Sequence, residues 1–373
     1  MKIYIITFSH TSNVGAALQE YALYKFLKIK GYDVKVVDYI PKTIRKEQSV
    51  WENVIGSKNL LQLLKGIIVI PLKIVRKKKF YYFSQKYIEL TSVCKNSLDI
   101  EKLEQPDIYL VGSDQVWNIE LVGTDPGFFL QFKSTARKAA YAASAGEDRF
   151  SREFKEKLKA NTKDFFAISV REKVLQQTLN DLGDNFVHQV LDPVFLLSKK
   201  QYQIILQKPK LEKYVLIYEV EHDKRCITLA KKLAKYYNLK VVQINRIQNK
   251  FHFEKIYPCV SPTEFLGLVQ NADYIVTNSF HAVAFSLIFE KQFWVIKLKE
   301  RFSRLESILE IAKLKDRVLD NNDVDIERKI DFHIVKKNLE FKKKESEDFL
   351  ETVLNEKVFE KDLKHTGGAN CSI

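Results

Sequence analysis

Short runs of β-branched and aliphatic residues alternate with amphipathic helical patterns across most of the chain, which predicts parallel sheets covered by helices on both faces. The opening unit shows the rhythm: a strand over 3–7, a polar loop over 9–13, a helix over about 15–30 and a second strand over 34–38. In that helix Leu18, Tyr21, Ala22, Phe26 and Ile29 fall on one face, and Gly31 follows as a natural residue just past the end. Further strands are expected over 108–111, 139–143, 167–170 and 187–191. A second series runs over 214–219, 241–245, 274–277 and 293–297. Asp192-Pro193 and Pro209 punctuate the break between the two series.

The chain has 373 residues, and single cores stop growing at roughly 250–300 residues, so two domains are expected. We place them at 1–195 and 196–330, with 331–373 as a C-terminal helix and flexible tail. The run Ser261-Pro262-Thr263-Glu264 has the form of a capping box with Pro at the first helical position, opening a helix that carries Phe265, Leu266 and Val269. Beyond Leu319 the chain turns polar, and Lys and Glu runs over 336–357 suggest a long exposed helix. No repeat of fixed period is present.

Composition narrows the class. With 46% hydrophobic, 12% aromatic and 29% charged residues the chain is globular. Its net charge of +14 favours an anionic partner without choosing among nucleic acid, lipid headgroups and phosphorylated metabolites. Cys94, Cys226, Cys259 and Cys371 are scattered with no CxxC pair, which predicts a reduced, cytoplasmic chain with no metal site. The apolar run after Lys2 breaks too soon for a signal peptide. The stretch 60–75, interrupted by Gln62, Lys65, Pro71 and Lys73, falls short of the ~20 apolar residues of a spanning helix.

Ligands of open α/β sheets bind where loops leave the carboxyl ends of strands. Five such places carry chemistry. The loop 9–15, SHTSNVG, offers hydroxyls, the Asn13 amide and Gly15 to an anion or sugar, though it lacks GxGxxG and the P-loop pattern; the same residues suit a helix cap by Ser12 or Asn13. Gly112-Ser113-Asp114-Gln115-Val116-Trp117-Asn118 combines a carboxylate, amides and an indole suited to a sugar, with Asp114 as a candidate base; a turn with a buried Trp fits equally. Arg171 begins a helix where a guanidinium can grip a carboxylate or phosphate, or pair with an acidic neighbour. Asn278-Ser279-Phe280-His281 sets an imidazole at a helix start, the best acid/base candidate among the His residues unless it is structural. Arg301 and Arg304 complete an anion pocket or open a solvated basic helix.

These segments together resemble the polysaccharide pyruvyl transferase family. The matching pieces are SNVGAALQEYALYKFLKIKGYDVKVVDY, VGSDQVWN, AAYAASAG, ISVREK, VLDPVFLL, SPTEFLGLVQNADYIVTNSFHAVAFSLIF and RFSRLESIL, in order over about 1–315. The resemblance implies two Rossmann-like domains facing across a cleft, GT-B-like, with a helical C-terminal tail. It implies phosphoenolpyruvate as co-substrate, no cofactor and no metal, and a hexose of a capsule or exopolysaccharide, or of its lipid-linked precursor, as acceptor of a pyruvate ketal. The acceptor side then falls to the N-terminal domain, with Asn13, Gly15, Ser113, Gln115, Trp117 and Asn118. The donor side falls to Arg171, Asn278, Ser279, Arg301 and Arg304, and catalysis to His281 and Asp114. In the better-described branch of the family an Arg stands where Ser279 stands here, so further anchoring passes to Arg301, Arg304 or Lys297.

The segment 59–82 interleaves apolar residues with Lys65 and Lys73 and ends in Arg76-Lys77-Lys78-Lys79-Phe80-Tyr81-Tyr82. It suits peripheral contact with an anionic membrane, at ~1 kcal/mol per basic residue, at the inner face of the cytoplasmic membrane; a buried helix pair with a basic turn is the alternative. Two other functions share the architecture: a GT-B glycosyltransferase using a sugar nucleotide, and a non-catalytic glycan-binding module. Nucleic acid is not expected as a partner, because the positive charge is spread along the chain without a recognised motif.

Overall fold

The computed structural model describes residues 1–47, 59–147, 149–183, 187–244, 255–298, 302–319 and 325–355. Two all-parallel sheets organise it. The first has seven strands in the order β3-β2-β1-β4-β5-β6-β7: β1 (Lys2–Ile6), β2 (Asp33–Tyr39), β3 (Leu90–Cys94), β4 (Ile108–Val111), β5 (Arg137–Ala143), β6 (Ala167–Val170) and β7 (His188–Gln189). The second has six, β10-β9-β8-β11-β12-β13: β8 (Tyr214–Tyr218), β9 (Lys240–Ile244), β10 (Lys255–Tyr257), β11 (Tyr274–Thr277), β12 (Gln292–Ile296) and β13 (Val318–Leu319). Both orders step outward on one side of the first strand and then restart on the other, the doubly wound arrangement expected from the sequence. Every residue of β4, β8 and β11 is buried, because helices cover both faces and leave no polar side for alternation.

The leading helix α1 (Val14–Ile29) follows β1, starts at an Asn13 cap and stops before Gly31, whose φ of +88° suits glycine. Helix α2 (Leu60–Tyr87) crosses from one domain to the other. Its Phe83 meets Tyr21 of α1 edge-on at 5.8 Å, and its Lys79 Nζ lies 2.6 Å from Glu264 Oε2 in α3 (Pro262–Asn271). The alternative of a buried helix pair over this segment is corrected: it is one continuous helix with Pro71 inside it, and much of its apolar surface faces solvent. The capping box of α3 forms as expected, with Ser261 Oγ accepting from Glu264 N and the Glu264 side chain accepting from Ser261 N.

One apolar core runs from Ile5 and Leu18 under the first sheet, through Val194, Leu196 and Tyr202, to Leu216, Phe265 and Phe285 under the second. Helix α4 (Phe280–Ile288) lies within it, and α5 (Ser303–Ile311) follows β12. The last helix, α6 (Phe332–Leu354), corrects the expectation of an exposed C-terminal helix. It returns to the first domain, where Leu350 is wholly buried, Phe349 packs beside Tyr141 and His188, and Ser346 Oγ accepts from Leu191 N at 2.9 Å. The expected tail, with Cys371, lies outside the described residues.

Among the described helices none is long and apolar enough to cross a membrane. Leu350→Ala should lower stability by about 2–5 kcal/mol in a denaturant melt, because it opens a cavity where α6 docks. Phe341→Ala, on the same helix but 70% exposed, should change it by under about 0.5 kcal/mol.

Candidate functional site

A doubly wound sheet opens a crevice where its strand order reverses, at the carboxyl ends of the two strands flanking the reversal. In the first sheet these are β1 and β4, followed by the loops that carry Ser9–Asn13 and Gly112–Asn118; in the second they are β8 and β11, followed by Glu219–Glu221 and Asn278–Ser279. The two crevices face each other across a cleft of about 780 Å³ lined by Ser9, Asn13, Asp114 and Gln115 on one side and Glu219, Asn278, Ser279, His281 and Arg304 on the other. Helices α1 and α4 both start there, so two helix N-termini direct backbone N–H groups and positive dipole ends at it.

His281 sits in the first turn of α4 and is 7% exposed. Its Nε2 lies 3.7 Å from Asp192 Oδ2, a charge contact rather than a hydrogen bond. The other ring edge presses on the backbone of Gly15 in α1: a Cβ built there would fall 1.9 Å from His281 Nδ1. Gly15, expected as an acceptor contact, thus serves as the flat stop on which the imidazole rests. Glycine is needed for that approach, since the backbone is helical and any side chain would collide.

Arg171 does not line the cleft. It is 4% exposed, donates from Nη1 to Asp192 Oδ2, lies 3.5 Å from Asp114 Oδ1 through Nη2, and stacks over Phe280 at 5.2 Å. The sequence offered it as a donor-gripping fork; the structure makes it an internal tie between the first domain and α4. Burial alone would raise the Asp192 carboxyl, but the Arg171 cation and the His281 imidazole hold it well below the usual carboxylate range. Asp192 also accepts from Ser113 Oγ at 3.2 Å and, through Oδ1, from Val194 N at 3.0 Å. One carboxylate therefore joins Ser113, Arg171, the start of the domain crossing and His281.

Asp114 lines the cleft and stands in left-handed backbone, φ 77°. Its carbonyl accepts from Val116 N at 2.8 Å and Ser144 N at 3.1 Å, which pins the turn and aims the carboxylate. Gln115 is also on the cleft. The rest of this segment is corrected. Trp117 is wholly buried, donates from Nε1 to Phe128 O and stacks on Phe129, so no sugar ring reaches it. Asn118 is 1% exposed and caps the short helix Ile119–Val122, and Ser113 is buried against Asp192.

Asn13 caps α1 through Oδ1, accepting from Gly15 N at 2.9 Å, so the capping reading of that loop is realised at the edge of the cleft. Asn278 ties down the neighbouring loop, accepting from Val220 N and donating to Glu221 O. Ser279 caps α4. Arg304 lines the cleft with an Nε that has no hydrogen-bond partner. Burial, and after it the neighbouring Arg171 cation, pull its guanidinium below its ordinary value, as expected where an anion would be welcome. Arg301 lies outside the described residues, and Lys297 stacks over Phe302 at 5.6 Å.

Sequence reasoning took Asp192 for punctuation, and missed the cleft-facing Lys73, Arg76 and Lys77 of α2. The available signal was an Asp directly after the apolar run expected as the strand over 187–191, at the carboxyl edge of the first sheet. It also missed the His10–Asp38 pair, 2.5 Å apart beside the Ser9 loop, whose partners lie on different strand ends.

A cleft formed by facing reversal points, with two helices opening onto it, is that of a two-domain GT-B-like fold. The sequence model for polysaccharide pyruvyl transferases matches residues 13–300, and the chain belongs to that family, enzymes that modify polysaccharides. No curated protein sequence matches it. Among solved structures it is similar to the UDP-GlcNAc 2-epimerase of Neisseria meningitidis bound to UDP-GlcNAc, at 14% identity over 95% of this chain and 100% of that one, TM-score 0.47. The UDP-N-acetylglucosamine 2-epimerase of Rickettsia bellii gives 12% over 95% of each chain, TM-score 0.48. An E. coli heptosyltransferase with ADP gives 12% over 92% and 100%, TM-score 0.41.

Gly15→Ala should displace the His281 ring and cost about 1–3 kcal/mol, the usual range for forcing volume into a packed site. The imidazole resonances in a ¹H–¹⁵N spectrum and a thermal melt check both, and unchanged ring resonances would contradict the contact.

Proposed function

We propose that the chain transfers a pyruvyl group from phosphoenolpyruvate to a hexose of a polysaccharide or its lipid-linked precursor, forming a ketal and releasing phosphate. The observation that supports this reading best is His281: an imidazole at a helix N-terminus, on the cleft, backed by a buried carboxylate and stopped by Gly15. The chemistry needs an acid that can reach a carbon atom and a basic group that can receive a hydroxyl proton.

His281 as imidazolium gives its proton to the methylene carbon of phosphoenolpyruvate, leaving an oxocarbenium-like centre at the neighbouring carbon. A sugar hydroxyl attacks that centre, and its proton passes to the Asp114 carboxylate. The bond from the same carbon to the phosphate oxygen then breaks, and phosphate leaves with the proton held by Asp114. A second hydroxyl closes the ketal and returns its proton to His281. Two hydroxyl protons are released, one ending in the new methyl group and one on phosphate. The positive ends of α1 and α4 and the unpaired Arg304 Nε suit the carboxylate and phosphate of the donor. Arg171 acts from behind, holding Asp192 and Asp114.

Contact with an anionic membrane is a further part of this reading. On α2, Leu64, Ile67, Ile68, Ile74, Val75, Tyr81 and Tyr82 are each at least 40% exposed. Their spacing of three and four puts them on one outward face with the exposed Lys78 and Lys86.

Phosphate release from phosphoenolpyruvate, assayed against a panel of free and lipid-linked hexosides with product mass as the readout, should show the gain of one pyruvyl unit. His281→Ala should abolish it with the folded far-UV circular dichroism spectrum retained. Stabilisation by UDP- or GDP-sugars but not by phosphoenolpyruvate would replace this reaction with glycosyl transfer. For the membrane face, the chain should co-sediment with phosphatidylglycerol vesicles at low salt, and Ile68→Glu should weaken that binding. Equal recovery of both proteins in the supernatant would remove the membrane from the reading.

A further inference from the structure

Helix α2 is asymmetric in a way the pyruvyl-transfer reading leaves unused. It holds seven Lys and Arg residues and no Asp or Glu. Lys79 is paired with Glu264, but Lys73, Arg76 and Lys77 line the cleft. At positions i, i+3 and i+4 they share one face, opposite the exposed apolar stripe. Like charges at those spacings oppose each other and weaken a helix. Among the described residues none of the three has a carboxylate partner, and Arg76 Nε is buried without a hydrogen bond.

The acidic residues on the cleft do not relieve this charge. Asp114 faces Arg171, and Glu219 is held by His222 Nδ1 at 3.0 Å and Gln243 Nε2 at 3.3 Å. Glu221 is exposed and, among the described residues, forms no ion pair with α2. The cluster is also distinct from the guanidinium assigned to the donor. Arg304 interacts with Arg171, Glu172, Asp114 and Asp192, whereas Arg76 interacts with Tyr218 and Cys259. The cleft thus has two cationic groups with different neighbours, and the pyruvyl-transfer reading uses only Arg304.

We propose that Lys73, Arg76 and Lys77 form a subsite for a phosphate or diphosphate carried by the acceptor, so that the acceptor is a sugar still attached to a phosphate-containing carrier and not a finished neutral glycan. The role of acceptor subsite rests on the pyruvyl-transfer reading; the anion subsite does not. A diphosphate suits three cations one helical turn apart better than a single carboxylate, because each cation then meets its own oxygen. The outward apolar face lies across the axis of the same helix from these cations, so the apolar part of a lipid carrier would leave the cleft past α2 to reach it. A nucleotide carrier presents the same diphosphate without that tail.

The test uses the full chain, with inorganic pyrophosphate and phosphoenolpyruvate as probes in calorimetric titrations. Pyrophosphate should bind protein already saturated with phosphoenolpyruvate. In Lys73→Gln/Lys77→Gln its Kd should rise about tenfold, as expected for losing charge-assisted contacts, with recovery in Lys73→Arg/Lys77→Arg. The Kd of phosphoenolpyruvate should not move. Competition between the two probes, or an unchanged pyrophosphate Kd in the Gln variant, overturns the subsite. Normal pyrophosphate binding with no binding of phosphoenolpyruvate would instead sink the pyruvyl-transfer reading and leave the subsite standing. Farnesyl-diphosphate-linked hexose and UDP-hexose then identify the carrier: the Gln variant should lose affinity for the one used, and loss for neither removes the acceptor role.

Discussion

The organisation of the cleft depends on one buried carboxylate. Asp192 leaves the first sheet just beyond β7, at the point where the chain starts to cross to the second domain, and its two oxygens meet four groups that the sequence separates widely. Removing a charge from water costs several kcal/mol unless partners replace the solvent. Here Arg171 supplies the counter-charge and Ser113 and Val194 N the hydrogen bonds, all from the first domain, and His281 is the one group that the second domain brings to it. His281 lies at the edge of this cluster. Its position is consequently coupled to the packing of the domain junction, not only to its own helix.

The central strands were legible because burial on both faces leaves continuous apolar runs, and β4, β6 and β11 have the bounds the pattern predicts. Three of the four edge strands, β3, β10 and β13, were not. Thr91 and Ser92 in β3, Lys255 in β10 and the two-residue length of β13 give no apolar run, because an edge strand is half solvated and its pairing comes from the neighbour rather than from its own composition. The last helix was misread for a related reason. Its lysines and glutamates are real surface charges, but Val335, Phe349, Leu350 and Val353 supply a narrow stripe that suffices to dock it.

Site residues divide along the same physical line. Residues at strand ends were found by position, and Asn13, Asp114, Gln115, Asn278, Ser279, His281 and Arg304 all reach the cleft. Their individual tasks were not legible. Trp117 has the chemistry of a sugar platform, yet the turn that precedes it rotates the indole into the core beside Phe129. Arg171 has the chemistry of an anion clamp, yet Asp192, 21 residues later, takes its Nη1 and holds it inside the protein. Partners so far apart in the chain carry no spacing signal, and only the fold brings them together.

The return of α6 to the first domain gives the molecule a second strand of connection. The chain leaves the first domain between β7 and β8 and comes back along α6, whose Lys336 reaches Glu290 of the second domain and whose Phe349 reaches Tyr141 of the first, so two chain crossings join the sheets beside the α2 contact. Two tethers act like the pins of a door. They leave rotation about the line between them comparatively soft and resist twisting or sliding across it. A turn about that line is the motion that both crossings allow, and it is the one that would separate the imidazole of one domain from the bare backbone of the other.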